Sequence, residues 1–373
     1  MSRFVAPIPS RRAFLQTVTG AASTAALAGQ QPGGGDEPKI GWAVVGLGGL
    51  AQNQILPAFA KCRFSRVTGL VSGDPVKAAR LAAQYGVNQR NIYNYGSYDQ
   101  LASNPEIQAV YIVLPNGMHA EYTIRGAKAG KHILTEKPMA NTPQDCRQMI
   151  DACRSANRKL MVAYRVRYEP HNMTAIQLAR GREIGTLKVI VADAGFNIGD
   201  PTQWRLNAKL AGGGSLMDIG IYALQATRYI TGEEPVEVKA TQYSTPGDPR
   251  FKQVEETILF QLRFPGGVLA NCSSSYGHAG TNRYRVLGDK GWIDLEPATS
   301  YTGLRLRVRK GSVIEEHNLN QADHFAAEMD HFSEAILRDG PVRTPGEDGL
   351  QDVRIMMAIY ESARTGNTVR LTA

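Results

Sequence analysis

Short apolar runs alternate with amphipathic segments in the first half of the chain. The apolar runs are IGWAVVG, RVTGLVS, AVYIVLP, HILTEKP and LMVAYRV. The segments between them with the period of amphipathic helices are 75–85, 118–129 and 142–157. Gly86 and Gly130 are placed like helix C-caps. Strands that alternate with helices predict βαβ units and a parallel sheet, so we predict an α/β domain at 39–160.

From about Thr186 the pattern changes to one strand after another. The predicted strands are roughly 186–195, 236–244, 255–264, 267–276, 281–288 and 302–317, with one helix near 215–230. The turns Pro265-Gly266-Gly267 and Gly288-Asp289-Lys290-Gly291 favour an antiparallel sheet. The length of 373 residues also suggests two domains. We therefore predict a second domain at 161–373, whose closing helix at 347–364 can pack on either domain.

The segment Gly46-Leu47-Gly48-Gly49-Leu50-Ala51 fits the pattern G-x-G-x-x-A. In that pattern Gly46 permits a tight turn, Gly48 lets the backbone approach a pyrophosphate, and the small Ala51 lets a helix pack on a strand. The segment directly follows the apolar strand Ile40–Val45 and opens the strand–helix alternation, which is the context the pattern requires. We predict a dinucleotide site here; a glycine-rich turn without a ligand is the alternative.

The end of the second predicted strand bears on which dinucleotide binds. An NAD enzyme usually places an Asp or Glu there, on the ribose 2′-hydroxyl. This chain has Val71-Ser72-Gly73-Asp74 with Lys77 three residues later, and a small hydroxyl beside an ammonium group suits a 2′-phosphate. The pattern favours NADP. Asp74 is either a ribose ligand in a shifted register or the N-cap of the following helix.

The first 28 residues have the organisation of an export signal. Ser10-Arg11-Arg12-Ala13-Phe14-Leu15 resembles a twin-arginine signal, a mildly apolar stretch follows, and Ala26-Leu27-Ala28 forms a small-residue cleavage site. The stretch is too short and too polar to span a bilayer. We therefore expect a twin-arginine signal peptide at 1–28, a flexible arm at 29–38, and export without a membrane anchor. The alternative is a disordered tail with an accidental arginine pair.

Charge and cysteine content limit the partners. The formal net charge is +8, and three of these charges lie in the first 28 residues, so the remainder carries +5. With no Lys/Arg block, neither nucleic acid nor a membrane surface is an expected partner. The four cysteines form no C-x-x-C pair, so no zinc or redox motif is indicated and no metal site is predicted. Cys146 and Cys153 share a helical face with Met149 and Ile150, where buried free thiols are expected.

Lys137 is the first candidate for catalysis. The segment Glu136-Lys137-Pro138 closes the fifth predicted strand. Because ligands of an open parallel sheet lie beyond the carboxyl ends of its strands, Lys137 is expected to face cofactor and substrate, hold a substrate oxygen and lower the pKa of a neighbouring group. A solvated lysine at a strand end is the alternative.

A second motif supplies two further candidates. In AGGGSLMDIGIY, residues 211–222, three glycines run into Ser215, and Asp218 and Tyr222 then share one helical face. Tyr222 is a candidate to move the proton that accompanies hydride transfer, and Asp218 to orient the sugar or the acid. The alternatives are a capping box formed by Ser215 and Asp218, and a half-buried helix tyrosine.

At these residues the chain resembles the glucose–fructose oxidoreductase branch of the Gfo/Idh/MocA oxidoreductase family. The matching stretches are AVVGLGGLAQNQILPAFA, GLVSGDPVKA, AVYIVLPNGMHAEY, GKHILTEKPMA, AYRVRYEPHN, WRLNAKLAGGGSLMDIGIY and GEDGLQDVRIMMAIYESARTG. Together they cover about residues 42–366. The resemblance implies an N-terminal Rossmann dinucleotide-binding domain and a C-terminal α+β domain on an open-faced, mostly antiparallel sheet that forms contacts in a homo-oligomer, a dimer or tetramer.

The resemblance also implies residue roles. Lys137, Tyr222 and Asp218 would be catalytic, and with Tyr168 they would bind the substrate. The implied cofactor-binding residues are Gly46, Leu47, Gly48, Ala51, Ser72, Gly73, Lys77, Leu114, Asn116, His119, Glu136, Lys137, Arg165, Trp204 and Arg205.

Enzymes of the resembled type work by ping-pong in the periplasm on tightly bound NADP. One sugar, such as glucose, gives a hydride to NADP and leaves as a lactone, and a second, such as fructose, takes it and leaves as a polyol. Tyr222 would accept the proton in the first half and return it in the second. Because residues 29–38 form a shorter arm than those enzymes use to cover NADP, an aldose dehydrogenase or reductase with exchangeable NADP is an alternative. A nicotinamide-dependent glycosidase of the same fold is another.

Overall fold

Two β-sheets organise the chain in a computed structural model that describes residues 37–371. The predicted signal at 1–28 and all but the last two residues of the predicted arm lie outside the described residues. From Pro38 onward the chain forms one compact unit. The predicted boundary near residue 160 stays a prediction.

The first sheet has six strands, and every pair in it is parallel. The strands are β1 (Ile40–Val45), β2 (Ser65–Val71), β3 (Ile92–Tyr93), β4 (Ala109–Ile112), β5 (His132–Glu136) and β6 (Leu160–Ala163). Their order is β3-β2-β1-β4-β5-β6. The direction of winding reverses between β1 and β4, and open sheets of this type bind ligands at the carboxyl ends of such strands. The predicted parallel sheet is confirmed.

The helices of this region follow the predicted pattern. They are a π-helical turn at Ala51–Ile55, then α1 (Leu56–Ala58), α2 (Pro75–Tyr85), α3 (His119–Lys128) and α4 (Pro143–Ser155). At the end of α2, Gly86 has φ 68°, the left-handed conformation that glycine adopts without strain. Cys146 and Cys153 are buried free thiols on α4, as predicted.

The second sheet has nine strands and is mixed. The strands are β7 (Leu187–Gly195), β8 (Glu237–Tyr243), β9 (Thr257–Arg263), β10 (Leu269–Ser275), β11 (Thr281–Gly288), β12 (Gly291–Leu295), β13 (Leu306–Lys310), β14 (Val313–His317) and β15 (Val369–Arg370). Their order is β14-β13-β12-β11-β7-β10-β9-β8-β15, and β7 with β10 is its parallel pair. The mostly antiparallel sheet is thus confirmed. The single strand predicted at 302–317 is wrong: the chain turns at Gly311, with φ 59°, to form the β13–β14 hairpin.

One face of the second sheet is covered and the other is open. In β9, Ile258, Phe260 and Leu262 are buried, whereas Leu259 is 49% exposed. This alternation of buried and exposed positions is what a sheet covered on one side requires. The sheet is therefore open-faced.

Five helices, a second π-helical turn and seven short 3-10 turns complete the described elements. The helices are α5 (Pro170–Arg180), α6 (Ala208–Ala211), α7 (Ile221–Thr231), α8 (His324–Leu337) and α9 (Gly346–Thr365), and the π-helical turn is Leu216–Gly220. Short 3-10 turns lie at Phe59–Lys61, Gln89–Asn91, Tyr98–Ser103, Asn116–Met118, Arg165–Tyr168, Trp204–Leu206 and Pro249–Phe251. The closing helix α9 contacts both β8 of the second sheet and α4 beside the first.

Helix α8 was not expected from the sequence. It lies within the predicted second domain, yet Phe325, Met329 and Phe332 pack into the core of the first sheet with Trp42. The chain therefore returns to the first sheet after β14, before its last strand, β15, joins the second sheet. Among the described helices, none combines the length and the apolar character needed to cross a bilayer.

Candidate active site

A cleft of about 610 Å³ lies at the carboxyl ends of the first sheet's strands. The predicted site residues that line it are Gly46, Leu47, Gly48, Ser72, Gly73, Lys77, Leu114, Asn116, Glu136, Lys137, Trp204, Arg205 and Asp218. The same cleft thus connects the glycine turn with the catalytic candidates Lys137 and Asp218. The lining residues extend along the chain from Gly46, in the turn after β1, to Asp218, in the π-helical turn at Leu216–Gly220.

The glycine turn has the geometry that a dinucleotide requires. Gly46 has φ 91°, and a Cβ there would collide with the carbonyl oxygen of Val113. Apart from Gly48 itself and its two neighbours in the chain, no described residue has an atom within 4 Å of the position that a Cβ of Gly48 would occupy, so the cleft is open at this backbone position. Ala51 is fully buried in the core, where only a small side chain lets the helix pack closely on the strand. These residues fit a pyrophosphate on the backbone.

The turn after β2 resolves the two interpretations of Asp74. Its carboxylate accepts a hydrogen bond of 2.9 Å from the backbone N–H of Lys77, so Asp74 is the N-cap of α2. This hydrogen bond is the main reason that the pKa of Asp74 lies below its ordinary value. The Lys77 ammonium lies 3.6 Å from the same carboxylate and lines the cleft together with Ser72. A cation and a small hydroxyl therefore border the cleft at this turn.

Lys137 and Asp218 meet at the other side of the cleft. The Lys137 ammonium donates to the Asp218 backbone oxygen at 2.5 Å and to its Oδ1 at 3.3 Å. The second carboxylate oxygen accepts from Arg205 Nε at 2.9 Å and from the Tyr276 hydroxyl at 3.0 Å. One carboxylate is thus held between two cations and a phenol.

This arrangement shifts the pKa values of the groups involved. Burial acts to raise the pKa of Asp218, but Lys137 and Arg205 outweigh it and lower that pKa to about 2. Burial acts to lower the pKa of Lys137, but Asp218 and then Tyr222 outweigh it and raise that pKa above its ordinary value. Both groups are therefore charged at neutral pH.

Tyr222 lies against the same lysine. Its ring centroid is 5.1 Å from the Lys137 ammonium and 5.1 Å from the guanidinium carbon of Arg165. The ring is half-buried, and it borders a separate cavity of about 20 Å³ rather than the large cleft. The structure thus brings Lys137, Asp218 and Tyr222 together from segments that are far apart in the chain.

Three other predicted residues are placed differently from the sequence expectation. The ring nitrogens of His119 lie 2.8 Å from the Leu114 oxygen and 2.9 Å from the Pro138 oxygen, so the imidazole is buried behind the cleft wall. Arg165 donates to the Thr299 backbone oxygen at 2.6 Å, and its guanidinium carbon lies 4.8 Å from the ring centroid of Tyr301 and 5.8 Å from that of Phe325. Tyr168 is not brought to the cleft at all.

The surroundings of Tyr168 explain its position. Its hydroxyl contacts the Met161 sulfur at 3.5 Å, and its ring packs against His331 and the guanidinium of Arg343. Burial raises the pKa of Tyr168 above its ordinary value. The structure therefore places Tyr168 in the core of the first sheet and not among the residues that line the cleft, and its role in substrate binding stays a prediction.

The capping box at Ser215 is not formed. Ser215 has helical backbone angles and its hydroxyl faces Ser274 at 3.1 Å. Glu255 takes the capping role instead, because its carboxylate accepts from the N–H groups of Gly214 at 2.8 Å and Leu216 at 2.9 Å. The Tyr360 hydroxyl also donates to this carboxylate at 2.9 Å.

The close approach of Glu255 explains the glycines before the catalytic turn. A Cβ at Gly214 would collide with the Glu255 backbone oxygen, and one at Gly213 would collide with the Tyr360 hydroxyl. Sequence reasoning missed Glu255, Tyr276 and Tyr360 because they are distant in the chain from the catalytic turn: Glu255 precedes β9, Tyr276 follows β10, and Tyr360 lies on α9. The run of three glycines was the available signal that other groups pack closely here.

Both halves of the chain match family models. Residues 40–164 match an oxidoreductase family with an NAD-binding Rossmann fold, and residues 173–294 match the GFO/IDH/MocA C-terminal domain. Among the described residues, no group of three or more His, Cys, Asp or Glu side chains is arranged to hold a metal ion.

Individual proteins match over most of the chain. The aldose-aldose oxidoreductase from Caulobacter crescentus, solved with glycerol, is 49% identical, with a TM-score of 0.88, and the match covers 89% of this chain and 100% of that one. D-xylose 1-dehydrogenase (NADP(+)) of Haloarcula marismortui is 34% identical over 342 residues, 90% of this chain and 94% of that one. D-xylose 1-dehydrogenase (NADP(+)) 2 of Haloferax volcanii is 29% identical over 334 residues, 88% of this chain and 99% of that one.

Proposed function

The chain belongs to the Gfo/Idh/MocA oxidoreductase family, and within it we propose a periplasmic NADP-dependent sugar oxidoreductase that transfers hydride between two sugars by ping-pong. One aldose, glucose-like, is oxidised to its lactone, and a second sugar is reduced to a polyol. The observation that carries the proposal is that Lys137 and Asp218 line the cleft that begins at the glycine turn, and that the Tyr222 ring lies against the Lys137 ammonium.

The proposal of NADP rests on the turn after β2. Lys77 can neutralise a 2′-phosphate there, and Ser72 leaves room for it, whereas the one nearby acid, Asp74, is engaged as an N-cap. Two of the similar proteins are named as NADP(+) enzymes. When bound, the cofactor supplies a nicotinamide that accepts a hydride from one sugar and returns it to the next.

The residues of this chain then act on protons and charge. The Tyr222 hydroxyl removes the proton from the sugar hydroxyl in the oxidative half and returns it in the reductive half. The Lys137 ammonium stabilises negative charge that develops on the sugar oxygen, and Asp218 holds that ammonium in place. Trp204 and Arg205 border the site and are proposed to position the nicotinamide and the sugar.

The identity of the second sugar has two candidates. The family resemblance favours a ketose such as fructose. The similarity to a protein named aldose-aldose oxidoreductase favours an aldose in the same role. Both candidates need the same chemistry at Tyr222, because either carbonyl gains a hydride and a proton.

The proposed location rests on the sequence pattern at residues 10–15, and the proposed assembly rests on the open face of the second sheet. The twin-arginine pattern at 10–15 supports export to the periplasm after folding and cofactor loading. The open face of the second sheet carries exposed apolar side chains at Tyr243, Leu259 and Leu269, which supports a homo-oligomer formed through this face.

The test uses the purified protein without added cofactor. After gel filtration, we expect near-ultraviolet nicotinamide absorbance to travel with the protein. Glucose should convert the bound cofactor to the reduced form, and fructose or a second aldose such as xylose should restore the oxidised form. Tyr222→Phe, treated identically, should show the absorbance of the bound cofactor, but glucose should not reduce that cofactor and the second sugar should not reoxidise it.

Two other outcomes correspond to the alternative functions. A protein that emerges empty and reduces added NADP with glucose is an aldose dehydrogenase with exchangeable cofactor. Release of the aglycone from an aryl glycoside without net redox change identifies a nicotinamide-dependent glycosidase. Either result overturns the ping-pong proposal.

A further inference from the structure

Two buried glutamates lie behind the cleft and share one tyrosine hydroxyl. Tyr111, on β4, is fully buried, and its hydroxyl lies 2.8 Å from Glu136 Oε1 and 3.5 Å from Glu328 Oε2. Glu136 ends β5 immediately before Lys137, and Glu328 lies on α8 with none of its surface exposed. Neither Glu328 nor Tyr111 has a part in the chemistry described above.

The partners of the two carboxyl groups differ. Glu136 accepts the backbone N–H of Lys137 at 3.2 Å with one oxygen and faces the Tyr111 hydroxyl with the other. Glu328 forms no ion pair with any described residue, and its Oε1 is buried without a hydrogen-bond partner. Glu136 therefore has hydrogen-bond donors that stabilise an ionised carboxylate, and Glu328 lacks such donors.

Counting protons assigns the state of Glu328. A phenol has one proton, and the shorter distance assigns it to Glu136. The remaining contact, between Tyr111 and Glu328, is then a hydrogen bond only if Glu328 carries a proton and donates it. An ionised Glu328 would place a second buried negative charge near Glu136 without a partner, which is costly in a protein interior.

Among the described residues, four groups face Glu328 from the elements packed against it. They are Glu136 on β5, Tyr111 on β4, and Arg165 and Tyr168 in the turn after β6. Burial, followed by the charge of Glu136, raises the pKa of Glu328 well above its ordinary value, although Arg165 opposes the shift. The one cation among these groups is directed to the Thr299 oxygen and to aromatic rings.

We propose that Glu328 is a neutral carboxylic acid in the native enzyme and that, through Tyr111, it fixes the carboxylate of Glu136 beside Lys137. The direction of donation runs from Glu328 to Tyr111 to Glu136. Glu328 and Tyr111 are positioning residues, and their effect on turnover rests on the function proposed above. Their protonation pattern does not depend on that function.

The direct test is infrared spectroscopy of the purified protein at neutral pH. A protonated carboxylic acid has a C=O stretching band that ionised carboxylates lack. We expect this band in the difference spectrum of wild type minus Glu328→Gln. The same difference with Glu334→Gln, a partly exposed glutamate on the same helix that pairs with Arg338, should lack it. A wild type minus Glu328→Gln spectrum without the band overturns the proposal.

A second variant tests the chain of hydrogen bonds separately. Tyr111→Phe removes the acceptor of the Glu328 proton, so the C=O band should move to higher frequency. An unmoved band contradicts the proposed hydrogen bond from Glu328 to Tyr111. We also expect kcat for sugar oxidation to fall about tenfold while KM changes little. Tyr98→Phe is the control. It removes another fully buried hydroxyl, which donates to the backbone oxygen of Tyr122, and it should leave kcat unchanged.

Because the infrared band is read without turnover, the two proposals fail separately. If the infrared band is present but the protein does not oxidise sugars, the neutral Glu328 is supported and the proposed function is wrong. If the protein transfers hydride between sugars but the band is absent, the proposed function is supported and the neutral Glu328 is wrong. Normal kcat in Tyr111→Phe would remove the positioning role.

Discussion

The ammonium group of Lys137 and the carboxylate of Asp218 lie 3.3 Å apart although 81 residues separate them in the chain. The other oxygen of the same carboxylate accepts from Arg205. Asp218 therefore compensates two cations at the edge of the cleft, and its ionised form is favoured in the folded protein.

The stability of the protein should depend on Asp218 in acid. The pKa of this group in the folded protein is about 2, below its ordinary value near 4. Its ionisation therefore stabilises the fold above about pH 4, and the contribution, about 2 kcal/mol, is lost as the pH falls toward about 2. We expect wild type to exceed Asp218→Asn in free energy of unfolding at neutral pH.

Urea denaturation of both proteins across the pH range measures this. The difference between wild type and Asp218→Asn should shrink by about 2 kcal/mol between about pH 6 and about pH 2. Other carboxylates titrate in both proteins and cancel in the difference. A difference that does not change with pH contradicts the assignment.

Replacement of Tyr222 should abolish proton transfer while leaving the fold intact. Tyr222→Phe keeps the ring that contacts Lys137 and Arg165 and removes the hydroxyl. We expect a loss of about 10²–10⁴-fold in kcat for sugar oxidation, the usual contribution of a general acid or base. Steady-state rates of lactone formation, with an acceptor sugar present, give the value. Tyr243→Phe, at a tyrosine 60% exposed on the open sheet face, is the matched control; equal rates in the two variants would remove Tyr222 from this role.

The cap supplied by Glu255 should matter for stability. Glu255→Gln puts an amide N–H opposite a backbone N–H of Gly214 or Leu216, so one buried donor loses its acceptor. We expect the free energy of unfolding to fall by about 2 kcal/mol in chemical denaturation. Glu361→Gln, at an exposed position beside Tyr360, should change it by less than about 0.5 kcal/mol. Equal stability of both variants would show that the carboxylate does not cap the turn.

Lys77 should set the preference for a 2′-phosphate. Lys77→Ala removes the ammonium that lines the cleft next to Asp74, so we expect the Kd for NADP to rise about tenfold and the Kd for NAD to stay within about twofold. Fluorescence titration of the apoprotein with each dinucleotide measures both constants. Lys128→Ala, at an exposed lysine near the end of α3, should change neither. An equal weakening of both dinucleotides would assign Lys77 a role unrelated to the phosphate.

The parts of the site that follow a regular pattern were predictable from the sequence. Lys137 directly follows the last residue of β5, and the carboxyl ends of parallel strands meet at one edge of the sheet, so its place in the cleft follows from the strand pattern. Asp218 and Tyr222 were recognisable because four residues separate them on a helix. The regular spacing of residues along strands and helices therefore predicts the positions of these three side chains.

Residues whose position depends on the pairing of distant strands were not predictable in the same way. Tyr276 and Glu255 reach the catalytic turn only through the register of β9 and β10 in the second sheet. Ser215 looked like a cap because the sequence does not show that a buried carboxylate competes for the same N–H groups. Tyr168 looked like a pocket residue by resemblance, although the 3-10 turn at Arg165–Tyr168 directs it into the core.

Helix α8 illustrates a different limit. Its apolar positions Phe325, Ala326, Met329 and Phe332 have helical spacing, and Asp323 caps its first turn, so the local signal was present. What the sequence does not show is that the helix crosses back to cover β2 and brings Glu328 to Tyr111. Such long-range returns depend on the packing of the whole core.

The most direct test of hydride exchange between two sugars is an isotope experiment. The purified protein, with no added cofactor, is given glucose carrying deuterium at C1 together with an unlabelled acceptor sugar, fructose or xylose, and the polyol is analysed by mass spectrometry. Hydride exchange between the two sugars predicts one polyol for each lactone, with one deuterium, taken from glucose, in each polyol formed from the acceptor sugar. An unlabelled polyol, or lactone formed without any polyol, would contradict it.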